Sequence, residues 1–319
     1  MRFVIYGAGA VGGVIGARLA AGGADVVLIA RGAHLEALRR DGLRVESAAG
    51  SARFALPAVG APQEIDWRPG DVVILTVKST ETAAALAALA ACAPPDVPVV
   101  CAQNGVSNER AALRMLPDIY ALCVMLPAEH LSPGVVVQGS SPVPGILDLG
   151  RYPRAVDATA EAVAGALRAG GFDSVARPDA MRFKYRKLLL NLGNALEALC
   201  GRLDDGATEA LDVLRAEGTA ALDAAGVDYA SAAEDRARRG DTLRVDVPRG
   251  GGSTWQSLRR GTGRVEADHL NGEIVLLGRL HGVPTPANDL VRRLVNAAAR
   301  AGRPPGELTP SAFLRLLRR

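Results

Sequence analysis

The first 31 residues contain the pattern that most restricts the fold: an apolar run, a glycine cluster, a helix-like stretch and a second apolar run. In such a strand–turn–helix unit the first glycine permits a tight turn, the second lets a phosphate approach the backbone, and the third lets the helix pack on the strand. The helix start also offers unpaired N–H groups and partial positive charge. We therefore predict a dinucleotide-binding turn, the alternative being a glycine turn that binds nothing. The residues expected to contact the cofactor are Gly7, Ala8, Gly9, Ala10, Val11 and Gly12.

The end of the second apolar run indicates which dinucleotide binds. An acidic side chain there would hold a ribose 2′-hydroxyl, but the chain has Arg31 and no carboxylate before Glu36. A guanidinium can pair with a 2′-phosphate through two hydrogen bonds, so the sequence favours NADP(H), with a solvated surface arginine as the alternative. Lys78 and Asn104 follow two further strand-like runs, at the edge where parallel sheets bind ligands. We expect both to contact the cofactor, although turn chemistry would also explain Asn104.

Hydrophobic patterning divides the chain into two halves. Through residue 177, short β-branched runs alternate with Ala- and Leu-rich segments, which is typical of a mostly parallel sheet with helices on both faces. The runs are RFVIY, VVLIA, DVVILTV, VPVVCAQ, IYALCVML, GVVVQG and FDSVARP. From residue 178 a helical period dominates, and it predicts helices at 181–203, 207–225, 230–239, 265–281 and 286–300. The expected fold is α/β, with a Rossmann-type NADP-binding domain at 1–177 and an all-α substrate and dimerisation domain at 178–319.

Between the helices of the second half lies the stretch VPRGGGSTWQSLRRGTGR. It contains too much glycine for a helix interior and is too long for a simple connection, so we predict a loop that lines a site.

Composition excludes several classes of partner. The 319 residues contain 37 Lys and Arg against 34 Asp and Glu, without a long basic block, which argues against nucleic acid. No apolar run has the length of a bilayer and no leader pattern opens the chain, so we expect a cytoplasmic protein without a membrane partner. The cysteines lack metal-ligand spacing and are expected as buried free thiols, with no metal site. They are Cys92, Cys101, Cys123 and Cys200.

A polar stripe marks the first helix of the second half. Lys187, Asn191 and Asn194 lie within an arc of about 60° if each residue turns the helix by about 100°. Burying such a stripe on a helix rich in leucine and alanine requires a ligand, water or another polar element as partner. The alternative is an exposed amphipathic face with a snorkelling lysine. Lys184 and Arg186 are predicted to be plain surface residues.

Glu266 is the candidate for the second polar element, because it follows the glycine-rich stretch directly. It could instead be an ordinary first-turn acid that the helix dipole stabilises. The histidines have no nucleophile motif or metal spacing near them, and we assign none of them a catalytic role. They are His34, His130, His269 and His281.

Together these motifs resemble the ketopantoate reductase (2-dehydropantoate 2-reductase) family over nearly the whole chain. The resemblance rests on GAGAVG with Arg31, TVKS, QNG, KLLLN, a serine-containing loop, and VEADHLNG followed by HGVPTPAN. It implies a Rossmann domain that binds NADPH, a helical domain that closes over it, and reduction of a 2-oxo acid, ketopantoate, to pantoate in pantothenate biosynthesis. It also implies that Lys187 is catalytic, that Asn191 and Glu266 belong to the substrate site, with Glu266 also near the cofactor, and that Lys78 and Asn104 contact the cofactor.

The chain departs from the family pattern at two places. The family has its second helix asparagine eight residues after the lysine, where this chain has Ala195, and Asn194 is expected to substitute for it. In the loop, Gly250 and Leu258 stand where the family has an asparagine and an acidic residue. Ser253 and Thr254 remain as the expected donors to a substrate carboxylate.

The resemblance implies a simple division of labour. Lys187 would protonate the oxygen of the substrate carbonyl as charge develops on it. Glu266 would accept a hydrogen bond from a substrate hydroxyl and favour the protonated lysine. Two alternatives stay open: a related NAD(P)-dependent dehydrogenase for another 2-oxo acid, hydroxy acid or imine, and a binding protein that senses NADPH without catalysis. The apolar surface predicted for helices 265–300 also allows a homodimer.

Overall fold

The computed structural model describes residues 1–201, 203, 205–245 and 251–318. Packing divides them into two units. The sheet unit contains residues 1–104, 108–184 and 232–245, and the helical unit contains residues 105–107, the described part of 185–231, and 251–318. Each unit consists of several chain segments, so neither corresponds to one continuous stretch of the sequence. The domain boundary predicted between residues 177 and 178 therefore stays a prediction.

The strands begin in the first residues of the chain, and nearly all of them precede residue 152. In chain order they are β1 (Arg2–Tyr6), β2 (Asp25–Ile29), β3 (Leu43–Ser47), β4 (Gly50–Phe54), β5 (Ala58–Val59), β6 (Asp71–Leu75), β7 (Val99–Cys101), β8 (Ile119–Met125), β9 (Ala128–Ser132), β10 (Val135–Gln138), β11 (Ser140–Pro142), β12 (Ile146–Arg151) and β13 (Leu243–Val245).

The main sheet of the described chain has the strand order β12-β8-β7-β6-β1-β2-β5. All neighbours pair in parallel except β12 and β8. β1 lies between β2 and β6, so the strand order reverses there. In sheets of this kind ligands bind beyond the carboxyl ends of the strands at that point of reversal, which in this chain is where the glycine turn follows β1.

The helices alternate with strands in the first half and follow one another in the second. In chain order they are α1 (Ala10–Ala21), α2 (Gly32–Asp41), α3 (Thr82–Ala90), α4 (Asn108–Leu113), α5 (Ala158–Ala169), α6 (Ala180–Asn191), α7 (Gly193–Cys200), α8 (Thr208–Ala224), α9 (Ala232–Arg239), α10 (Ser253–Arg259), α11 (Asn271–His281), α12 (Pro286–Arg300) and α13 (Pro310–Leu317). Short 3-10 turns lie at Pro62–Glu64, Ser79–Glu81, Asp205–Ala207 and Ala267–His269.

Side chains on the two faces of the main sheet enter two separate cores. Phe3 and Ile5 of β1 pack in a core with residues of α1 and α5, whereas Val4 packs in a second core with residues of α3. This alternation is the period of two expected for a strand buried on both faces. The predicted α/β class, with helices on both faces of a mostly parallel sheet, is confirmed. In the part of the chain that the structure describes, no helix is both long enough and apolar enough to cross a membrane.

Several predicted elements are wrong in detail. The run GVVVQG forms β10, but this strand belongs to a second sheet of order β4-β3-β10-β9, because it pairs with β9 and with β3 instead of the main sheet. The run FDSVARP makes only isolated bridges to β12, at Asp173 and Ala176. The glycine-rich stretch predicted as a loop contains helix α10. The four cysteines are free, but Cys92 and Cys200 are half-buried rather than buried.

Candidate active site

The glycine turn after β1 has no room for side chains at two of its positions. Gly7 has φ +110°, and a Cβ there would lie 2.8 Å from the backbone nitrogen of Val77. A Cβ at Gly12 would lie 2.3 Å from the carbonyl oxygen of Gly7 and 2.4 Å from Oγ1 of Thr76. The Thr76 hydroxyl donates to the Gly7 carbonyl at 2.8 Å, which ties the turn to the end of β6. These contacts give the first and third glycines the packing roles that the sequence predicts.

The second glycine has open space instead. Apart from its neighbours in the chain, no heavy atom of the described residues lies within 4 Å of the position that a Cβ at Gly9 would take. Gly9 is also the N-cap of α1, so the N–H groups of Ala10 and Val11 in the first turn lack partners inside the helix. A diphosphate fits this arrangement, because its oxygens accept hydrogen bonds where no side chain intervenes.

Arg31 follows β2 and has an acidic partner that the sequence analysis did not anticipate. Its Nη2 lies 2.9 Å from Oε2 of Glu81, at the end of the 3-10 turn after β6. The Arg31 side chain is 73% exposed and the Glu81 side chain 30% exposed, so the guanidinium can meet a solute. No signal in the sequence points to this pair, because the two residues lie 50 positions apart.

Lys78 and Asn104 occupy the ends of two neighbouring strand segments, as predicted. Lys78 is half-buried and precedes the 3-10 turn at Ser79–Glu81. The Asn104 carbonyl accepts a hydrogen bond from Nδ2 of Asn108 at 3.2 Å, whereas its side-chain Oδ1 is buried with no hydrogen-bond partner among the described residues. Leaving an acceptor buried and unpaired is costly, so this oxygen suits a ligand that donates a hydrogen bond.

Lys184 contradicts its prediction as a plain surface residue. It is 3% exposed, forms an ion pair with the fully buried Glu109, and donates to the carbonyls of Cys101 at 3.3 Å and Gln103 at 3.0 Å. The ammonium therefore ties α6 to the end of β7 and to α4, directly before Asn104. Arg186 is also not a plain surface residue, since it is half-buried.

His34 in the first turn of α2 contacts the glycine turn directly. Its Nδ1 accepts the backbone N–H of Gly134 at 2.9 Å, so the proton of the neutral ring lies on Nε2, which donates to the Ala8 carbonyl at 2.7 Å. The His130 ring packs against it with centroids 4.3 Å apart. Burial lowers the pKa of His34, which keeps the ring neutral. His34 thus supports the glycine turn, a contact that its spacing alone did not indicate.

The helix that carries the predicted polar stripe is interrupted. The prediction of one helix at 181–203 is wrong, because α6 ends at Asn191 and α7 begins at Gly193, with a turn at Leu192. The Leu192 carbonyl accepts a hydrogen bond at 3.0 Å from Nδ2 of Asn271, which is fully buried at the start of α11. Lys187 and Asn191 therefore lie on α6 and Asn194 on α7.

One polar atom of the stripe, Nδ2 of Asn191, has no hydrogen-bond partner among the described residues. This atom is buried, although the residue as a whole is half-buried. Lys187 is half-buried one turn earlier on the same helix. An amide donor beside an ammonium is suited to an oxygen-rich ligand.

Asn194 lies beside the start of α10. A Cβ at Gly252 would lie 3.6 Å from Oδ1 of Asn194 and 2.6 Å from Oε2 of Glu197, and this carboxylate accepts the Gly252 N–H at 2.9 Å. Ser253 and Thr254 open α10, where Ser253 is half-buried and Thr254 is 2% exposed. The structure thus brings Asn194 to the segment that carries the two predicted donors. Gly250 lies outside the described residues.

Glu266 is 7% exposed and precedes the 3-10 turn Ala267–His269, so it does not open a helix as predicted. The helix expected at 265–281 starts only at Asn271, because Leu270 leaves the helical conformation with φ −111° and ψ −87°. Buried carboxylates are usually paired or hydrogen-bonded. Residues Gly105–Ser107 pack against this turn, with Oγ of Ser107 3.4 Å from Nδ1 of His269.

The predicted site residues thus fall into two groups, one in each unit. The glycine turn, Arg31, Lys78 and Asn104 belong to the sheet unit, around the carboxyl ends of β1, β2, β6 and β7. The remaining predicted residues belong to the helical unit. They are Lys187, Asn191, Asn194, Ser253, Thr254 and Glu266. Two further residues of the helical unit, which the sequence did not indicate, contact the backbone next to this second group: Glu197 accepts the Gly252 N–H and Asn271 donates to the Leu192 carbonyl.

Comparisons with known proteins assign both groups of residues to the same protein family. Residues 3–154 match the family described as ketopantoate reductase PanE/ApbA, and residues 179–299 match the C-terminal part of that family. The chain is 31% identical over 316 residues to the 2-dehydropantoate 2-reductase of Halobacterium salinarum, covering 95% of this chain and 100% of the relative.

Two solved structures have a similar fold. The crystal structure of a PanE/ApbA family ketopantoate reductase from Ralstonia eutropha superposes with a TM-score of 0.79 at 31% identity, covering 95% of this chain and 99% of the other. The ternary structure of D-mandelate dehydrogenase with NADH and anilino(oxo)acetate has a TM-score of 0.80 at 24% identity, covering 95% and 99% of the two chains. This second likeness concerns the fold alone.

Proposed function

Because the chain belongs to the ketopantoate reductase family, we propose that it is an NADPH-dependent reductase that converts 2-dehydropantoate to pantoate. The observation that carries the proposal is the end-to-end similarity to a relative named 2-dehydropantoate 2-reductase. The open position at Gly9 and the unpaired Oδ1 of Asn104 support a dinucleotide site in the sheet unit. Arg31 supports NADP(H) over NAD(H), because a guanidinium matches a 2′-phosphate.

The proposed domains follow this division. Residues 1–177 would bind NADP(H), and residues 178–319 would bind the substrate and form a homodimer in the cytoplasm. Leu276 and Leu280 on α11, which are 49% and 67% exposed, support a contact between two copies.

Bound NADPH would supply the hydride that reduces the carbonyl carbon. In the proposed mechanism the Lys187 ammonium stabilises negative charge on the carbonyl oxygen and donates the proton that completes the alcohol. Asn191 would help to orient the substrate or the lysine, because its Nδ2 is a buried donor that needs an acceptor. The Glu266 carboxylate accepts a hydrogen bond from a substrate hydroxyl, and its low exposure excludes water from that contact.

The substrate carboxylate needs donors of its own. Ser253 is better suited than Thr254, because Thr254 is 2% exposed whereas Ser253 is half-buried at the first position of α10. Backbone N–H groups at the start of this helix would add to the attraction. Asn194, beside Gly252, would orient the same end of the substrate.

The test is turnover by the purified protein. We expect loss of NADPH absorbance with 2-dehydropantoate, at a kcat/KM at least about tenfold above that for pyruvate, 2-oxoisovalerate or phenylglyoxylate, which is the discrimination that one well-placed polar contact provides. A higher kcat/KM for another 2-oxo acid would favour a related dehydrogenase instead. NADPH binding without turnover of any member of the panel would favour a sensing protein.

A further inference from the structure

The strongest unassigned feature near the proposed cofactor site is the ion pair between Arg31 and Glu81. We propose that Glu81 is a specificity-determining residue that weakens the preference for NADPH over NADH by competing for Arg31. The inference rests on the proposed NADPH site. It adds Glu81 to Arg31 as a second residue that sets the preference between the two dinucleotides.

The pair lies where the two dinucleotides differ. Arg31 comes two residues after β2, and Glu81 comes six residues after β6. These two strands flank β1 in the main sheet, and the glycine turn follows β1. The ion pair therefore connects the carboxyl ends of two strands across the strand that leads into the phosphate-binding turn. In folds of this type, the end of the second strand is where the adenosine ribose is recognised.

The two partners differ in how firmly they are held. Glu81 closes a 3-10 turn whose backbone bonds include Glu81 N–H to the Lys78 carbonyl at 2.7 Å, and its side chain is 30% exposed. The Arg31 side chain is 73% exposed, so its end can move more easily than the carboxylate. A phosphate that binds Arg31 must take the guanidinium from a carboxylate that stays close by.

The charges of the two dinucleotides decide which of them Glu81 disfavours. The 2′-phosphate of NADPH carries a charge of about −1.5 to −2 at neutral pH and meets a nearby carboxylate with repulsion. NADH has a hydroxyl at the same position, which can donate a hydrogen bond to a carboxylate. Glu81 should therefore oppose NADPH and tolerate NADH, while Arg31 does the reverse.

The alternative is an ordinary exposed ion pair, which contributes little to stability and does not affect the choice of dinucleotide. The substitution Glu81→Gln separates the two, because it keeps the size of the side chain and one acceptor oxygen but removes the charge. The matched control is Glu209→Gln, which breaks the exposed pair of Glu209 with Arg318 in the helical unit and changes the net charge equally.

The experiment measures the dissociation constants of NADPH and NADH by calorimetry at one fixed ionic strength. We expect Glu81→Gln to raise the ratio of NADH to NADPH dissociation constants by roughly five- to tenfold, mainly through tighter NADPH binding, as one removed like charge in a solvated site allows. Glu209→Gln should change the ratio by less than about twofold. In an Arg31→Ala background, the effect of Glu81→Gln should shrink, because the competition for the guanidinium is gone.

The outcomes distinguish the inference from the proposed function. If Arg31→Ala lowers the preference for NADPH but Glu81→Gln leaves the ratio within about twofold of the original, the pair is an ordinary surface contact and the inference is wrong. If neither substitution changes the ratio, Arg31 does not bind the 2′-phosphate, and both the inference and the proposed NADPH site fail. Melting temperatures of all variants verify that the differences arise in the folded protein.

Discussion

Lys184 and Asn191 lie seven residues apart on α6, but the surroundings of their polar atoms differ. The ammonium of Lys184 meets the Glu109 carboxylate and two backbone carbonyls, so each of its N–H groups has an acceptor. Nδ2 of Asn191 is buried with no hydrogen-bond partner among the described residues. The Lys184 ammonium is fully partnered by the protein itself, which is typical of a structural role, whereas the Asn191 amide leaves a donor for something that binds. The same helix thus carries one polar group that ties it to the end of β7 and another that has no partner among the described residues.

The largest effect that this comparison predicts is on stability. Lys184→Met leaves the Glu109 carboxylate buried without its counterion, and breaking a buried pair in this way costs about 3 to 5 kcal/mol of unfolding free energy. Urea denaturation measures the loss. The double substitution Lys184→Met with Glu109→Leu should recover most of it, because a well-packed apolar pair replaces a buried ion pair at little cost.

A matched surface pair provides the control for Lys184. Arg39 and Glu64 are about half exposed and lie 3.1 Å apart, so Arg39→Met should cost less than about 1 kcal/mol. A loss for Lys184→Met that is as small as that of Arg39→Met would contradict the structural role, and the contrast within α6 would disappear.

The second prediction concerns the chemical step. Lys187→Met should reduce kcat with 2-dehydropantoate by at least about 100-fold, the usual size of an acid-catalytic contribution, which corresponds to about 2.7 kcal/mol. The NADPH dissociation constant and the free energy of unfolding should change little, because the residue is proposed to act on the substrate. Stopped-flow turnover and calorimetry measure the two quantities.

Lys187→Arg sharpens this result. An arginine keeps the positive charge but does not give up a proton at neutral pH, so it should recover a part of the rate if charge stabilisation contributes and none if only proton donation matters. An unchanged kcat in Lys187→Met would show that another residue donates the proton.

The features that the sequence predicted correctly are local. The glycine turn could be recognised because its three glycines, the flanking strands and the helix lie within about 30 residues. The helices α8 and α12 were predicted within a residue or two of their ends, because their apolar period is long and regular. The strands β1, β2 and β6 were recognised as continuous apolar runs, which is how strands of a parallel sheet read.

The features that were missed depend on partners far away in the chain. The break at Leu192 depends on Asn271, which lies 79 positions later and satisfies the Leu192 carbonyl. The burial of Lys184 depends on Glu109, and a lysine on a helix looks the same in sequence whether it is paired or exposed. Helix α9 packs in the sheet unit through Arg238, whose guanidinium contacts Asp148 and Asp173 at 2.6 to 2.9 Å. The composition of this segment indicated only a helix.

The smallest predicted effect concerns His34 and depends on pH. Burial lowers the pKa of His34 in the folded protein, and a proton on Nδ1 would face the Gly134 N–H that this nitrogen now accepts. The unfolded chain, with a pKa near 6.5, therefore takes up the proton first as the pH falls. The neutral ring contributes its stability above that value and loses it below, so unfolding free energy should decrease between about pH 7 and pH 5 by on the order of 1 kcal/mol, the net value of one hydrogen bond.

Urea denaturation across this pH range compares the original chain with His34→Gln. Glutamine has a donor and an acceptor but no titration near pH 6, so the variant should lack this part of the decrease, whereas the same change at the exposed His281 should leave it intact. An identical decrease in His34→Gln would contradict the prediction, because the proton uptake would then come from other groups. In that case the His34 contact with the Ala8 carbonyl would support the glycine turn across the whole of this pH range.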